Sequence, residues 1–195
     1  RMVEYGHGMS LHTCVLRPLS RGSVTRNATD GSPVIDLGLL SDDADLETLL
    51  KGVRIARSIM QQSPMAKHGL TEVIPGAAVQ DDDALRDYIR AQARTVYHPV
   101  GTCMMGSDPQ TSVVDPQLKV HGLDRLYVVD ASVFPTVTSG NTHAPTTMVA
   151  LMLVSAATAT KSPSAFCAHG PQARPSTSAA AVLLAPKPCK PRPFN

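Results

Sequence analysis

The sequence predicts an α+β chain, on three observations. Apolar side chains alternate with a period of two near its beginning, over residues 9–16. In two middle stretches they recur at three and four, the period of a helix with one buried face. Later, a short apolar segment, Leu126 to Val129, stops at Asp130 and gives way to a glycine- and proline-led run with helical composition.

The elements follow in order. In "GMSLHTCVLRP", Met9, Leu11, Thr13 and Val15 alternate with Ser10, His12, Cys14 and Leu16, and Pro18 closes the strand. "RGSVTR" reads as the next strand after a turn at Gly22, so the pair predicts an antiparallel hairpin or meander. Leu46, Leu49, Leu50, Val53, Ala56, Ile59 and Met60 predict a helix over 43–62. Ser41 and the aspartates after it supply an N-cap and negative charge where the helix dipole favours it. "DDDALRDYIRAQAR" predicts a second helix with Leu85, Tyr88, Ile89 and Gln92 on one face. "SGNTHAPTTMVALMLVSAATA" predicts a third, with Pro145 suited to its first turn. That run is too short and too rich in Thr, Ser and Ala to be a good membrane span. After Thr160 the chain is rich in Pro, Ala and Ser and has no acidic residue, which predicts disorder or weak order.

Composition narrows the function classes. The 195 residues suit one domain or one and a half, and 43% hydrophobic residues are enough for a core. A formal charge of +2 with no basic run gives no footprint for nucleic acid. Cys14, Cys103, Cys167 and Cys189 lie far apart, with no CxxC pair and no zinc spacing, which predicts no metal site and reduced thiols of a cytoplasmic kind. The first residues lack the apolar core and cleavage site of a signal peptide.

Among the histidines, His98 stands out. In "VYHPVGTCMMG", Pro99 biases it toward extended backbone, and Gly101 lets the chain reverse beside a ligand. An imidazole there can exchange a proton near neutral pH. His7, His12, His68, His121 and His169 have no local partner with a role in the sequence and read as structural or surface residues. Asp130 sits where an apolar strand ends, a place from which a carboxylate can accept hydrogen bonds from sugar hydroxyls; alone, it reads as a turn or cap residue. Asn141, Thr142 and His143 precede a helix start, where free N–H groups and the dipole favour an electron-rich ligand; capping is the plainer alternative.

Together, "YHPVGTCMMG", "VVDPQLKVHGLDRLYVVDASVFP" and "TSGNTHAPTTM", in that order and spacing, resemble the carboxyl-terminal part of the glucose–methanol–choline (GMC) oxidoreductases, FAD-dependent alcohol oxidases and dehydrogenases. The resemblance runs from about Gly8 to Ala150 and takes in the earlier "LRPLSRGSVT" and "IDLGLLSDDADLETLLKGVRIAR". It implies His98 as catalytic base and Asn141 as its partner at a position held by His or Asn. It places Asp130 and Ala131 by the ribityl–pyrophosphate part of FAD, and Thr142 and His143 against the pyrimidine end of the flavin. His143 stands where the family pattern leads one to expect asparagine, and it keeps a donor. The family's GxGxxG loop is missing: "GHGMSL" begins like it, but Leu11 takes the third glycine's place.

The resemblance thus implies a fragment of a two-domain flavoenzyme, made of an antiparallel-sheet substrate domain plus the last strand and helix of the FAD-binding domain. Residues 1–106 form the substrate-domain segment with the histidine turn, 107–160 close the FAD-binding domain, and 161–195 are a disordered or atypical tail. The implied partners are a small-molecule primary alcohol, choline-like or other, oxygen or another electron acceptor, and the amino-terminal half of the same enzyme. The location stays open, with cytoplasmic or peripheral to a membrane the favoured readings. A non-catalytic fragment without FAD, and a lyase of the same fold, stay open as alternatives.

Overall fold

The computed structural model of the chain describes residues 8–159 and 181–186. In order these form β1 (Met9–His12), β2 (Ser23–Arg26), β3 (Pro33–Asp36), α1 (Asp43–Met60), α2 (Ser63–Ala66), β4 (Leu70–Ile74), α3 (Asp82–Gln92), a 3₁₀ turn (Ala131–Val133), α4 (His143–Ala159) and β5 (Ala181–Pro186). They divide into two compact units: residues 8–15, 39–96 and 181–186 in one, 16–38 and 97–159 in the other. Residues 97–106, which carry the histidine motif, pack in the second unit with the segment that follows them.

The first unit is built on the most periodic stretch. The side chains of α1 that recur at three and four, Leu46, Leu49, Leu50, Val53 and Ala56, are buried, and α3 lays Leu85 and Ile89 against them. Each of the leucine, valine and isoleucine side chains among them stabilises the fold by about 1.5–3 kcal/mol through removal from water. Both helices begin on aspartate caps. The Asp42 carboxylate accepts from the Ala44 N–H at 2.9 Å, and that of Asp81 from the Ala84 N–H at 2.8 Å. The cap of α1 is thus Asp42 rather than Ser41. Arg57 of α1 pairs with Glu72 of β4 at 2.7 Å, with side chains only 11% and 15% exposed. Loss of either partner would leave the other charge largely buried and uncompensated.

Charge also ties α1 to α3 at the surface. Arg86 reaches Glu47 at 2.7 Å, and Arg54 pairs with Asp82. The hydrogen bond from Arg86 is the main cause that holds the Glu47 carboxyl below the usual carboxylate range. A depressed carboxyl contributes stability above its unfolded value and loses it as pH falls through the folded one. Glu47→Gln is therefore expected to lower the urea midpoint near neutral pH, with the two proteins converging as acid protonates the folded carboxyl. A gap that persists at the acid end would mean that the contribution is not ionic.

In the same unit β5 lies between β1 and β4, antiparallel to both, with Met9 opposite Leu184 and Leu70 opposite Pro186. Order in residues 181–186 departs from the weak order expected of the whole tail. The segment "AVLLAP" is an unbroken apolar run within a proline-rich context, and β1 and β4 each present a ladder edge to it. The remainder of the tail lies outside the described residues.

In the second unit β2 pairs with β3, Ser23 opposite Asp36 and Arg26 opposite Pro33, so the hairpin is β2–β3 and not the expected β1–β2. The turn is set by side chains: Asn27 Oδ1 accepts from the Thr29 N–H at 2.8 Å and Asp30 Oδ1 from the Ser32 N–H at 2.9 Å. Such Asx contacts fold a chain back locally. At Gly22 a Cβ would lie 2.1 Å from the carbonyl oxygen of Asp36, a close approach that only glycine permits. The core of this unit gathers Val114, Leu118, Val133 and Phe134, with Met105, Val128, Val129, Val149 and Leu153 against them. The expected strand over Leu126–Val129 is reduced to one bridge, Tyr127 opposite Lys119, since Val128 and Val129 serve the core without a continuous ladder partner.

Candidate active site

Residues 97–106 are fastened to the stretch after Asp130. The N–H groups of Gly101 and Cys103 both donate to the Ser132 carbonyl at 3.0 Å, and the Met105 N–H donates to the Val133 carbonyl at 2.9 Å. Gly101 has φ +96°, which glycine adopts without the penalty a Cβ brings. Tyr97, beside His98, has φ +65°, a left-handed backbone that costs a non-glycine residue on the order of 1 kcal/mol. His98 therefore sits outside helix and strand, on a turn anchored just after it, as Pro99 and Gly101 led one to expect.

His98 is half-buried and meets the start of α4. Its Nδ1 lies 3.0 Å from Thr142 Oγ1, and the Thr142 amide nitrogen lies 3.4 Å from the same ring nitrogen with its N–H directed at it. Thr142 is 7% exposed, and its carbonyl accepts from both the N–H and the hydroxyl of Thr146 in the first turn of the helix. The loop before it is held by Arg17, whose Nε donates to Ser139 Oγ at 2.7 Å. The two motifs are thus joined through Thr142. Asn141, expected as the partner of His98, is exposed and makes no side-chain hydrogen bond among the described residues.

Asp130 is exposed and caps the 3₁₀ turn, its Oδ1 accepting from the Ser132 N–H at 2.7 Å. Ala131 opens that turn and packs against the second core. His143 is exposed as the first residue of α4. Sequence reasoning missed two contacts. One is the Thr142 hydroxyl on His98. The other belongs to His121, whose Nε2 lies 3.1 Å from the Gly106 carbonyl and 3.0 Å from Ser112 Oγ. His121 thus has a local partner after all: it clamps the loop that follows the His98 motif. No pattern along the chain marks either pairing, since both depend on how loops fold back.

The donors at this end of α4 suit an electron-rich ring edge: the Asn141 amide, the His143 ring, and the N–H groups of the first helical turn that have no intrahelical partner. The second carboxylate oxygen of Asp130, without a hydrogen bond among the described residues, suits a sugar hydroxyl. These places fit FAD. Among the described residues there is no group of three His, Cys, Asp or Glu side chains able to hold a metal ion, and no helix long and apolar enough to cross a membrane. Cys14 and Cys103 are free thiols.

Comparison with known proteins gives a consistent picture. The family model described as GMC oxidoreductase matches residues 18–150. An alcohol dehydrogenase (acceptor) of Pseudomonas putida is 48% identical over 153 residues, which cover 77% of this chain and 27% of that protein. An oxygen-dependent choline dehydrogenase of Pseudomonas savastanoi pv. phaseolicola is 42% identical over 146 residues, covering 74% and 26%. Among solved structures, an FAD-dependent oxidoreductase from Chaetomium thermophilum superposes with a TM-score of 0.67 at 29% identity, over 72% of this chain and 25% of that one. The chain spans about a quarter of the length of the curated relatives it matches.

Proposed function

The chain belongs to the GMC oxidoreductase family, and on that footing we propose that it is the carboxyl-terminal part of an FAD-dependent enzyme that oxidises a primary alcohol to an aldehyde. The observation that carries this reading is the contact of His98 with Thr142, which brings the histidine turn to the donor-rich start of α4. His98 takes the hydroxyl proton of the alcohol at its Nε2, and Asn141 donates a hydrogen bond to the same oxygen as it gains negative charge. Asp130 and Ala131 would hold the ribityl–pyrophosphate part of the cofactor, and Thr142 and His143 its pyrimidine end. Bound FAD supplies the acceptor for the hydride that leaves the carbinol carbon. Oxygen or another acceptor completes the cycle. In this reading residues 1–106 belong to the substrate domain, and 107–160 close the FAD-binding domain.

Two measurements test it. A full-length protein containing this segment, with FAD bound, is expected to lose its oxidised-flavin absorbance when a primary alcohol is added without oxygen; an unchanged spectrum across a panel of alcohols would count against alcohol oxidation. The 195-residue chain by itself is expected not to retain FAD, because it contains no glycine loop to cradle the pyrophosphate. Stoichiometric quenching of FAD fluorescence by the purified chain would show that the segment holds the cofactor unaided.

A further inference from the structure

We propose that the hydroxyl oxygen of Thr142 selects the tautomer of His98: it accepts a hydrogen bond from Nδ1–H and so leaves the lone pair on Nε2. This rests on the base role given to His98 above and adds a positioning residue to it.

Two groups of Thr142 approach the same ring nitrogen, and they pull in opposite directions. The backbone N–H can only donate, so it favours an unprotonated Nδ1 with the ring hydrogen on Nε2. The hydroxyl can donate or accept. The distances separate them. Oγ1 lies at 3.0 Å, the usual length of a full hydrogen bond, whereas the amide nitrogen lies at 3.4 Å, beyond the usual N–H range. The stronger contact is therefore with the one group that can serve as acceptor. Thr142 is buried, and its carbonyl is bound to Thr146, so the hydroxyl oxygen is held in place at the ring.

The proton balance of the proposed step points the same way. When the alcohol gives its hydroxyl proton to Nε2, both ring nitrogens carry hydrogen. An imidazolium Nδ1–H is then stabilised by an oxygen acceptor and opposed by an amide N–H aimed at it. Nε2 makes no hydrogen bond among the described residues, so it is the nitrogen available to substrate. Without the hydroxyl, only the amide donor remains at Nδ1, and the neutral ring would carry its hydrogen on Nε2, where it could not take a proton.

The test is nuclear magnetic resonance of the ¹⁵N-labelled 195-residue chain at about pH 8.5, some two units above the free imidazole value of about 6.5. Two-bond ¹H–¹⁵N correlations report which ring nitrogen of His98 carries hydrogen. The expected result is a protonated Nδ1 in the wild type, loss of that signal in favour of protonated Nε2 in Thr142→Val, and its return in Thr142→Ser. A wild-type ring protonated on Nε2 overturns the proposal, as does an identical tautomer in wild type and Thr142→Val. The wild-type spectrum decides alone should the valine variant fail to fold. Neither FAD nor alcohol is present, so failure of the alcohol-oxidation reading would appear in the flavin experiment and not in this one.

Discussion

Replacement of His98 by alanine is expected to lower alcohol-oxidation turnover of the full-length, FAD-bound enzyme by about 10²- to 10⁴-fold, the usual span for loss of a general base. Flavin content should be preserved, because the groups suited to the cofactor are those of Asp130, Asn141 and His143 and not the ring itself. Asn141→Ala removes one hydrogen bond to the reacting oxygen and no proton acceptor, so its loss should be smaller. His68 serves as the control, being exposed in the other compact unit and without a side-chain hydrogen bond among the described residues. His121 is unsuited to that use, because its contacts to Gly106 and Ser112 would make its loss a change of loop structure. The measurement is steady-state kinetics with bound flavin quantified by absorbance. Near-normal turnover of His98→Ala with flavin in place would transfer the base role to another group, and His143 would be the first to replace.

The second large effect concerns stability. Leu85 and Ile89 are both fully buried against the α1 stripe of Leu46, Leu49, Leu50 and Val53. Leu85→Ala should lower unfolding free energy by about 2–5 kcal/mol, through lost transfer energy and the cavity left between two helices. A domain of ordinary stability has about 5–15 kcal/mol in all, so this one change removes a large fraction of it. Ile59→Ala is the comparison, since Ile59 lies on the same amphipathic helix but is 46% exposed. Urea unfolding followed by far-ultraviolet circular dichroism reads both. A loss for Leu85→Ala no greater than for Ile59→Ala would mean that α3 is not packed as described.

What the sequence disclosed follows from how local each signal is. The helices over 43–62 and 81–94 were legible because period and caps lie within the segment itself, and the structure trims them only to 43–60 and 82–92. Strand pairing was less legible: Ser23–Arg26 was visible as a strand, but its partner Pro33–Asp36 begins at a proline and lacks an alternating pattern of any length. The tail strand was hidden because a six-residue apolar run gains order only from neighbours distant in sequence. In the site, the turn at His98 was legible from Pro99 and Gly101. Its contact with Thr142 was not, since a hydroxyl forty-four positions away leaves no mark on local pattern.

The place of β5 has a consequence for the order in which the chain can fold during synthesis. Among the described residues β1 and β4 meet through a strand made long after both, with His12 opposite Ala181. Until that strand emerges, both leave the ribosome with open edges, and such edges invite pairing with other chains. Closure of so long a loop is entropically late and kinetically slow. A nascent chain stalled before Ala181 would therefore carry formed helices and, on β1 and β4, the two further open edges that β5 covers once it pairs between them, a species a chaperone would recognise.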